Sequence, residues 1–165
     1  MEEVFLRQGL SPEDIPILLK WANSGGEAFL RQFAGPKWRY PLTEDQLAAE
    51  DGIHSIYFTG AFAGIIQRFP RRERGIHVGR FLIDPDRRGE GIGPKALGLF
   101  CRGIFGEDGV DTISLNVYLD NAPARRCYEK CGFRAVRVNP EWNNCRMELS
   151  RERQGNPMAA LEEGD

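Results

Sequence analysis

The stretch DRRGEGIG, Asp86 to Gly93, decides how this sequence is interpreted. It follows the apolar run RFLIDP (80–85) and precedes the amphipathic run PKALGLFCRGIF (94–105). Glycines at positions 89, 91 and 93 leave alternate residues of the stretch without a side chain. Successive N–H groups of such a backbone can point at one anion, and the start of a helix adds partial positive charge. We therefore predict an anion-binding loop between a strand and a helix, in preference to a glycine-rich surface turn.

Two other phosphate-binding motifs fit this loop less well. A Walker loop requires G-x-x-x-x-G-K-[S/T], and no Lys followed by Ser or Thr occurs here. The dinucleotide pattern G-x-G-x-x-G/A matches only from Gly91, with Ala96 in the third glycine position, and no clear ribose-binding acid follows. The pattern R-x-x-G-x-G, starting at Arg88 with Pro94 in the first turn of the next helix, is the preferred interpretation.

Composition and charge exclude several classes of protein. The 165 residues suffice for one domain with a core. The 22 basic and 24 acidic residues give a net charge of −2, which provides no basic excess for a nucleic-acid partner. No apolar run approaches a membrane span, and the N-terminus lacks the pattern of a secretory signal, so we expect a cytoplasmic protein without a membrane partner.

The cysteines are expected to be reduced thiols. A zinc site is the weaker alternative, because only two histidines are available and neither is near Cys127 and Cys131 in the sequence. The four cysteines are Cys101, Cys127, Cys131 and Cys145.

Periodicity and turn residues predict a mixed α/β chain. We expect a helix capped by Ser11 with Pro12 in its first position, and another capped by Thr43. The other predicted elements are strands at 3–8, 76–84, 111–119 and in the last third of the chain, a hairpin at 53–69, a short helix within 25–41, and helices at 94–105 and 122–133. The predicted organisation is one domain over residues 1–150, followed by a polar tail over 151–165.

Two blocks of sequence resemble the GNAT acetyltransferase superfamily. FLIDPDRRGEGIGPKAL (81–97) resembles its acyl-CoA loop, and LNVYLDNAPARRCYEKCGF (115–133) resembles the strand, asparagine and tyrosine-bearing helix that follow. Both blocks occur in the family's order and spacing, whereas the first 50 residues match only loosely. The resemblance implies the GNAT fold, a mixed central sheet of six to seven strands flanked by about four helices.

The resemblance also implies acetyl-CoA as acyl donor, without a metal, and assigns residues to it. Backbone groups of Phe81, Leu82 and Ile83 would pair with the pantetheine arm and polarise the thioester carbonyl. Asn121 would contact the cofactor arm, and Tyr128 would protonate the departing thiolate, a role that suits a phenol with a pKa of about 10. The residues expected to hold the pyrophosphate are Arg88, Gly89, Glu90, Gly91, Ile92, Gly93 and Pro94.

The general base is less clearly marked. An alkylammonium acceptor, with a pKa of about 10.4, must lose a proton before it attacks. Family members place a glutamate on the fifth or the fourth strand; the corresponding positions here are Asn116, which is not a base, and His77, which is. A purely structural role for His77, or a base acting through ordered water, is the alternative, and His54 and Glu73 are weaker candidates.

The resemblance predicts an N-acetyltransferase that moves acetyl from acetyl-CoA to a primary amine of a small molecule or a protein, by direct attack in a ternary complex. We expect a monomer or homodimer. The alternative is a non-catalytic acyl-CoA-binding sensor of the same fold. A basic patch of Arg68, Arg71, Arg72 and Arg74 is interpreted as a solvated hairpin tip, with an anionic acceptor or the adenosine phosphate as the alternative ligands.

Overall fold

The computed structural model of the protein describes residues 3–107 and 109–154, with the side chains of residues 153 and 154 left out. Within those residues it has seven β-strands and six α-helices. The strands are Val4–Gln8 (β1), Ile53–Phe58 (β2), Ala61–Arg71 (β3), Gly75–Ile83 (β4), Thr112–Tyr118 (β5), Arg134–Asn139 (β6) and Asn144–Ser150 (β7). The helices are Ile15–Ser24 (α1), Gly26–Ala34 (α2), Glu44–Ala48 (α3), Ile92–Phe105 (α4), Ala122–Lys130 (α5) and Arg151–Gln154 (α6).

The seven strands form one mixed sheet in the order β1-β2-β3-β4-β5-β7-β6. β4 and β5 run parallel, and helix α4 lies between them in the chain. β1 with β2, β2 with β3, β5 with β7 and β6 with β7 are antiparallel. Four of the described helices have nine residues or more. This architecture confirms the predicted mixed α/β class.

Local sequence signals placed several elements correctly. The predicted hairpin turns at Thr59 and Gly60, which have φ angles of 49° and 83°. Thr43 caps α3, because its hydroxyl accepts a hydrogen bond from the Gln46 amide. Gly132 follows α5 with φ of 99°, the left-handed conformation that commonly ends a helix.

The predicted start of the first helix is wrong. α1 begins at Ile15 with Asp14 in the cap position, rather than at Pro12 with Ser11 as cap. The Ser11 hydroxyl accepts a hydrogen bond from Arg7, and the Asp14 amide closes a turn onto the Ser11 carbonyl at 3.0 Å. Because residues 11–14 form that turn, the helix starts later.

The described residues divide into two compact units. The first comprises the described residues up to Arg68 together with Gly79–Ile92. Its core joins α1, α2 and α3 to strands of the sheet through a cluster of buried apolar side chains that includes Leu18, Leu30, Trp38, Ile65 and Leu82.

The second unit comprises Phe69–Val78 and the described residues from Gly93 onward. The apolar side of the amphipathic run 94–105 is buried in α4: Ala96, Leu97, Phe100, Cys101 and Ile104. The sheet residues buried in this unit include Ile76, Ile113, Leu115, Met147 and Leu149. Within it, Gly75–His77 of β4 pairs with Thr112–Ser114 of β5.

The remaining predictions concern the cysteines, a membrane span, a metal site and the C-terminal tail. All four cysteines are free thiols. Across the described part of the chain, no helix has the length and apolar character needed to cross a bilayer, and no group of three metal-ligating side chains occurs. Of the predicted tail, 151–154 forms α6, whereas 155–165 lies outside the described residues; the boundary at residue 150 stays a prediction.

Candidate active site

The glycine loop begins directly after β4. Asp84 caps a 3-10 turn over Pro85–Arg87, its Oδ1 accepting a hydrogen bond from the Asp86 amide at 2.9 Å. Arg88 is extended, and Gly89 and Gly91 have φ angles of 86° and 80°. Those angles strain a residue with a β-carbon, so both positions favour glycine. Helix α4 then starts at Ile92, two residues earlier than predicted.

The backbone of this loop is open. Apart from its chain neighbours, a β-carbon placed on Gly89 or Gly91 would meet no atom within 4 Å. Residues Arg88 to Gly91 are all exposed, and the Arg88 guanidinium lies 5.8 Å from the ring centre of Phe29. Packing therefore does not explain the glycines. An open run of backbone ahead of a helix, beside an arginine, fits a large anionic ligand such as a pyrophosphate.

The end of β4 is held against β3. The Asp84 amide donates to the Ala63 carbonyl at 2.8 Å, and Leu82 is buried in the core of the first unit. A β-carbon on Gly64 would lie 2.1 Å from the Leu82 carbonyl oxygen. Gly64 therefore allows β3 to approach the segment Phe81–Ile83 closely. Sequence reasoning did not single out Gly64, because a lone glycine in a strand gives no indication of what it faces.

A buried polar cluster precedes that segment. Arg80 is 6% exposed and has φ of 47°, a left-handed conformation that is unusual for a non-glycine residue inside a strand. Its Nη1 lies 2.8 Å from Glu50 Oε1 and donates to Gln67 Oε1 at 3.1 Å. Its Nε donates to the Ala34 carbonyl at 3.1 Å, and its guanidinium lies 3.9 Å from the ring centre of Trp38.

The Glu50 carboxylate of this cluster also accepts hydrogen bonds from neighbours other than Arg80. Glu50 accepts hydrogen bonds from Gln67 Nε2 at 2.9 Å and Trp38 Nε1 at 3.3 Å. Burial raises the pKa of Glu50, but the hydrogen bond from Gln67 and the charge of Arg80 outweigh burial and leave that pKa below its usual value. Glu50 is therefore ionised at neutral pH, and the pair fixes the left-handed residue just before Phe81.

Tyr128 and Asn121 belong to the second unit, at opposite ends of α5. Asn121 caps the helix, because its Oδ1 accepts from the Ala124 amide at 3.3 Å. The Tyr128 ring lies 6.2 Å from that of Phe133, and no residue in the described ranges hydrogen-bonds its hydroxyl. Burial, reinforced by the neighbouring Cys127 and Cys131 thiols, raises the pKa of Tyr128. The phenol therefore keeps its proton at neutral pH and can act as an acid.

His77 lies on β4 beside β5. Its Nδ1 is 2.9 Å from Ser114 Oγ, and its ring is 6.4 Å from that of Phe69. Burial lowers the pKa of His77 to about 4, helped by the positive charges of Arg71 and Arg146. The imidazole is therefore neutral at physiological pH. It is half-buried, on the face of β4 opposite the buried Ile76 and Val78.

The structure thus divides the predicted residues between the two units. Phe81–Ile83 and Arg88–Ile92 lie in the first; His77, Gly93, Pro94, Asn121 and Tyr128 lie in the second. Of the weaker base candidates, His54 places Nδ1 3.2 Å from the Gly52 carbonyl, and Glu73 occupies a left-handed position at φ of 60°.

Comparison with known protein families identifies the family of this chain. The sequence model described as the acetyltransferase (GNAT) family matches residues 19–133. The chain belongs to the GNAT acetyltransferase family. The resemblance of the two sequence blocks to this family is thereby confirmed.

Solved structures share the GNAT fold. An acetyltransferase from Bacillus anthracis superimposes with a TM-score of 0.75 at 14% identity, over 90% of this chain and 95% of its own. An aminoglycoside acetyltransferase in complex with coenzyme A and kanamycin gives 0.72 at 19% identity, over 94% and 99%. A spermidine N-acetyltransferase from Vibrio cholerae, in complex with coenzyme A and spermine, gives 0.69 at 16%, over 93% and 98%. These similarities confirm the predicted fold.

Proposed function

We propose that this GNAT protein is an N-acetyltransferase that transfers acetyl from acetyl-CoA to a primary amine by direct attack in a ternary complex. The observation that carries the proposal is the loop with Gly89 and Gly91 in left-handed conformations, open on the outside and beside Arg88. Family membership supports it, as do the relatives crystallised with coenzyme A.

In this proposal the loop binds the cofactor's pyrophosphate. Backbone N–H groups of Gly89, Glu90, Gly91, Ile92 and Gly93 donate to the anion, and the N-terminus of α4 adds partial positive charge. Arg88 contributes a formal charge just ahead. Pro94 contributes shape only, because it has no N–H.

The segment Phe81–Ile83 supplies backbone donors to the pantetheine arm and to the thioester carbonyl, which gains negative charge as the amine attacks. Rigid support suits this role, because donors must be fixed before the reaction. The ion pair of buried Arg80 with Glu50 and the close approach of Gly64 supply such support. Asn121 contacts the cofactor arm through its side-chain NH₂ group, since its Oδ1 caps α5.

Tyr128 protonates the departing thiolate. The reaction forms an amide C–N bond and breaks the thioester C–S bond, so the sulfur leaves as an anion unless a proton reaches it. The raised pKa of Tyr128 keeps that proton available, and its hydroxyl is without a partner among the described residues. A partly buried hydroxyl without a protein partner among the described residues is suited to donate a hydrogen bond to a ligand.

His77 accepts the proton that the acceptor's ammonium group must lose. Its neutral imidazole has a lone pair available, which an imidazolium would lack. A pKa of about 4 nevertheless makes it a weak base in the free protein. The acceptor is a small-molecule amine in this proposal, supported by relatives named for aminoglycosides and spermidine; a protein amine is the second candidate.

The test measures acetyl-CoA binding by calorimetry and then the release of free CoA with a panel of amines. CoA is quantified by chromatography, because thiol reagents would also react with the four free cysteines. We expect binding and an amine-dependent release of CoA. Binding without release for any amine would instead identify the non-catalytic acyl-CoA sensor, and absence of binding would refute both functions.

A further inference from the structure

One face of the sheet in the second unit is polar from β4 to β6. Strand register places residues directly opposite one another across four strands, so they share a face. One such row consists of His77, Ser114, Glu148 and Arg134. The next row consists of Asn116, Arg146 and Arg137.

Arginines dominate this face. Arg137 lies directly opposite Arg146, and like charges placed opposite each other destabilise a sheet unless an anion lies between them. Glu148 is the sole carboxylate in the two rows, and it lies 3.2 Å from Arg146 Nε. That contact uses one of the five N–H groups of the Arg146 guanidinium. The two rows therefore carry a positive excess.

A further arginine lies on the other side of His77. Phe69 is on β3 with its ring 6.4 Å from His77, and the guanidinium of Arg71 lies 5.7 Å from the centre of that ring. Arg71 is two residues beyond Phe69, so it occupies the same face of the strand. We call Arg71, Arg137 and Arg146 the arginine face. After burial, the positive charges of Arg71 and Arg146 lower the pKa of His77 further.

We propose that the acceptor carries a carboxylate in addition to its amine, and that the arginine face binds this carboxylate while the amine approaches His77. The inference rests on the proposed function, in which His77 receives the amine's proton. Guanidinium groups bind carboxylates with two parallel hydrogen bonds, which orients the acceptor as well as attracting it. A polycation such as spermine would be repelled by the same charges.

A carboxylate bound at the arginine face would also make His77 a stronger base. Burial is the main cause of the low pKa of His77, and the positive charges of Arg71 and Arg146 lower it further; a bound carboxylate offsets the contribution of those two charges. The acceptor therefore strengthens its own base on binding. A neutral or cationic amine leaves the pKa of His77 low.

The experiment compares acceptors in matched pairs that differ in one group. Alanine, β-alanine and 4-aminobutyrate are assayed against isopropylamine, propylamine and butylamine, in which methyl replaces the carboxylate; spermine is the polycation. The variants are Arg137→Gln and, as a control, Arg31→Gln; Arg31 is an exposed residue of the first unit that pairs with Glu27 at 3.7 Å. We expect at least one amino acid to exceed its methyl counterpart by about tenfold in kcat/KM, a factor equivalent to about 1.4 kcal/mol.

We expect Arg137→Gln to abolish most of that preference, while Arg31→Gln preserves it. NMR titration of the His77 ring gives a second measure: a preferred amino acid should raise its pKa, whereas the matched amine should not. Equal or better turnover of spermine or the methyl amines, or an unchanged preference in Arg137→Gln, would overturn the inference. Failure of acetyl-CoA to bind in calorimetry would refute the proposed function instead, so the two failures are distinguishable.

Discussion

His77 Nδ1 lies 2.9 Å from Ser114 Oγ, and this contact determines what the imidazole can do. If Nδ1 carries the proton and donates a hydrogen bond to Ser114 Oγ, the lone pair of Nε2 is available to accept another proton. If Ser114 donates instead, Nε2 carries the proton and cannot act as a base. The proposed role of His77 requires the first tautomer.

Replacing His77 by Gln tests that role. We expect kcat/KM to fall by about 10²-fold, the typical contribution of a general base, while acetyl-CoA affinity stays close to that of the wild type. Because the pKa of His77 is about 4 in the free protein, its basic form is present above that pH, and the wild-type profile should have an ascending limb near pH 4. The profile is measured with saturating acetyl-CoA. A Gln variant with an unaltered rate and profile would leave a water-relayed base as the explanation.

Replacing Tyr128 by Phe tests the acid. We expect kcat to fall by about 10²-fold with little change in acetyl-CoA affinity, because the hydroxyl acts on charge that develops only during the reaction. Tyr118→Phe is the matched control, since it removes the same oxygen from another half-buried tyrosine of the second unit. Wild-type turnover in Tyr128→Phe would show that Tyr128 only packs against Phe133 and does not act as an acid.

The ion pair between buried Arg80 and half-buried Glu50 predicts a large effect on stability. Arg80→Met retains much of the side-chain volume but leaves Glu50 without its cation, which should cost about 3 kcal/mol in the free energy of unfolding. Since the pKa of Glu50 is lowered in the wild type, its stabilisation is present above its usual value of 4.5 and is lost as the pH falls through the folded-state pKa. The difference between variant and wild type should therefore shrink from pH 7 towards pH 4.

Arg31→Ala is the control for that measurement. Arg31 forms an exposed i, i+4 pair with Glu27 at 3.7 Å, and such pairs contribute roughly 0.3–0.5 kcal/mol. Urea unfolding at both pH values gives the comparison. Equal stability losses in Arg80→Met and Arg31→Ala would show that the buried cluster does not hold the strand.

Local signals in the sequence predicted most of the fold. Apolar periodicity placed the buried face of α4, and turn residues placed the hairpin at Thr59 and Gly60. The glycine spacing predicted a loop that the structure places directly before a helix, with positive φ at Gly89 and Gly91. These features depend on residues a few positions apart, which a sequence displays directly.

Features that depend on distant residues were not predicted. The cluster around Arg80 joins Glu50 and Gln67, which lie 30 and 13 positions earlier in the chain. Nothing local marks Arg80 as left-handed, because the conformation is imposed by tertiary contacts. The pKa of His77 is likewise lowered by tertiary structure, first through burial and then through the charges of Arg71 on β3 and Arg146 on β7.

The central claim, that the glycine loop binds acetyl-CoA, is tested most directly by comparing Gly91→Ala with Gly60→Ala in calorimetric titrations. Gly91 and Gly60 have φ angles of 80° and 83°, and a β-carbon at either site meets no atom within 4 Å, so both substitutions impose a similar backbone strain of about 1–2 kcal/mol. Gly60 lies in the hairpin turn between β2 and β3, outside the glycine loop. We predict at least tenfold weaker acetyl-CoA binding in Gly91→Ala and wild-type affinity in Gly60→Ala; equal affinities in the two folded variants would contradict the account.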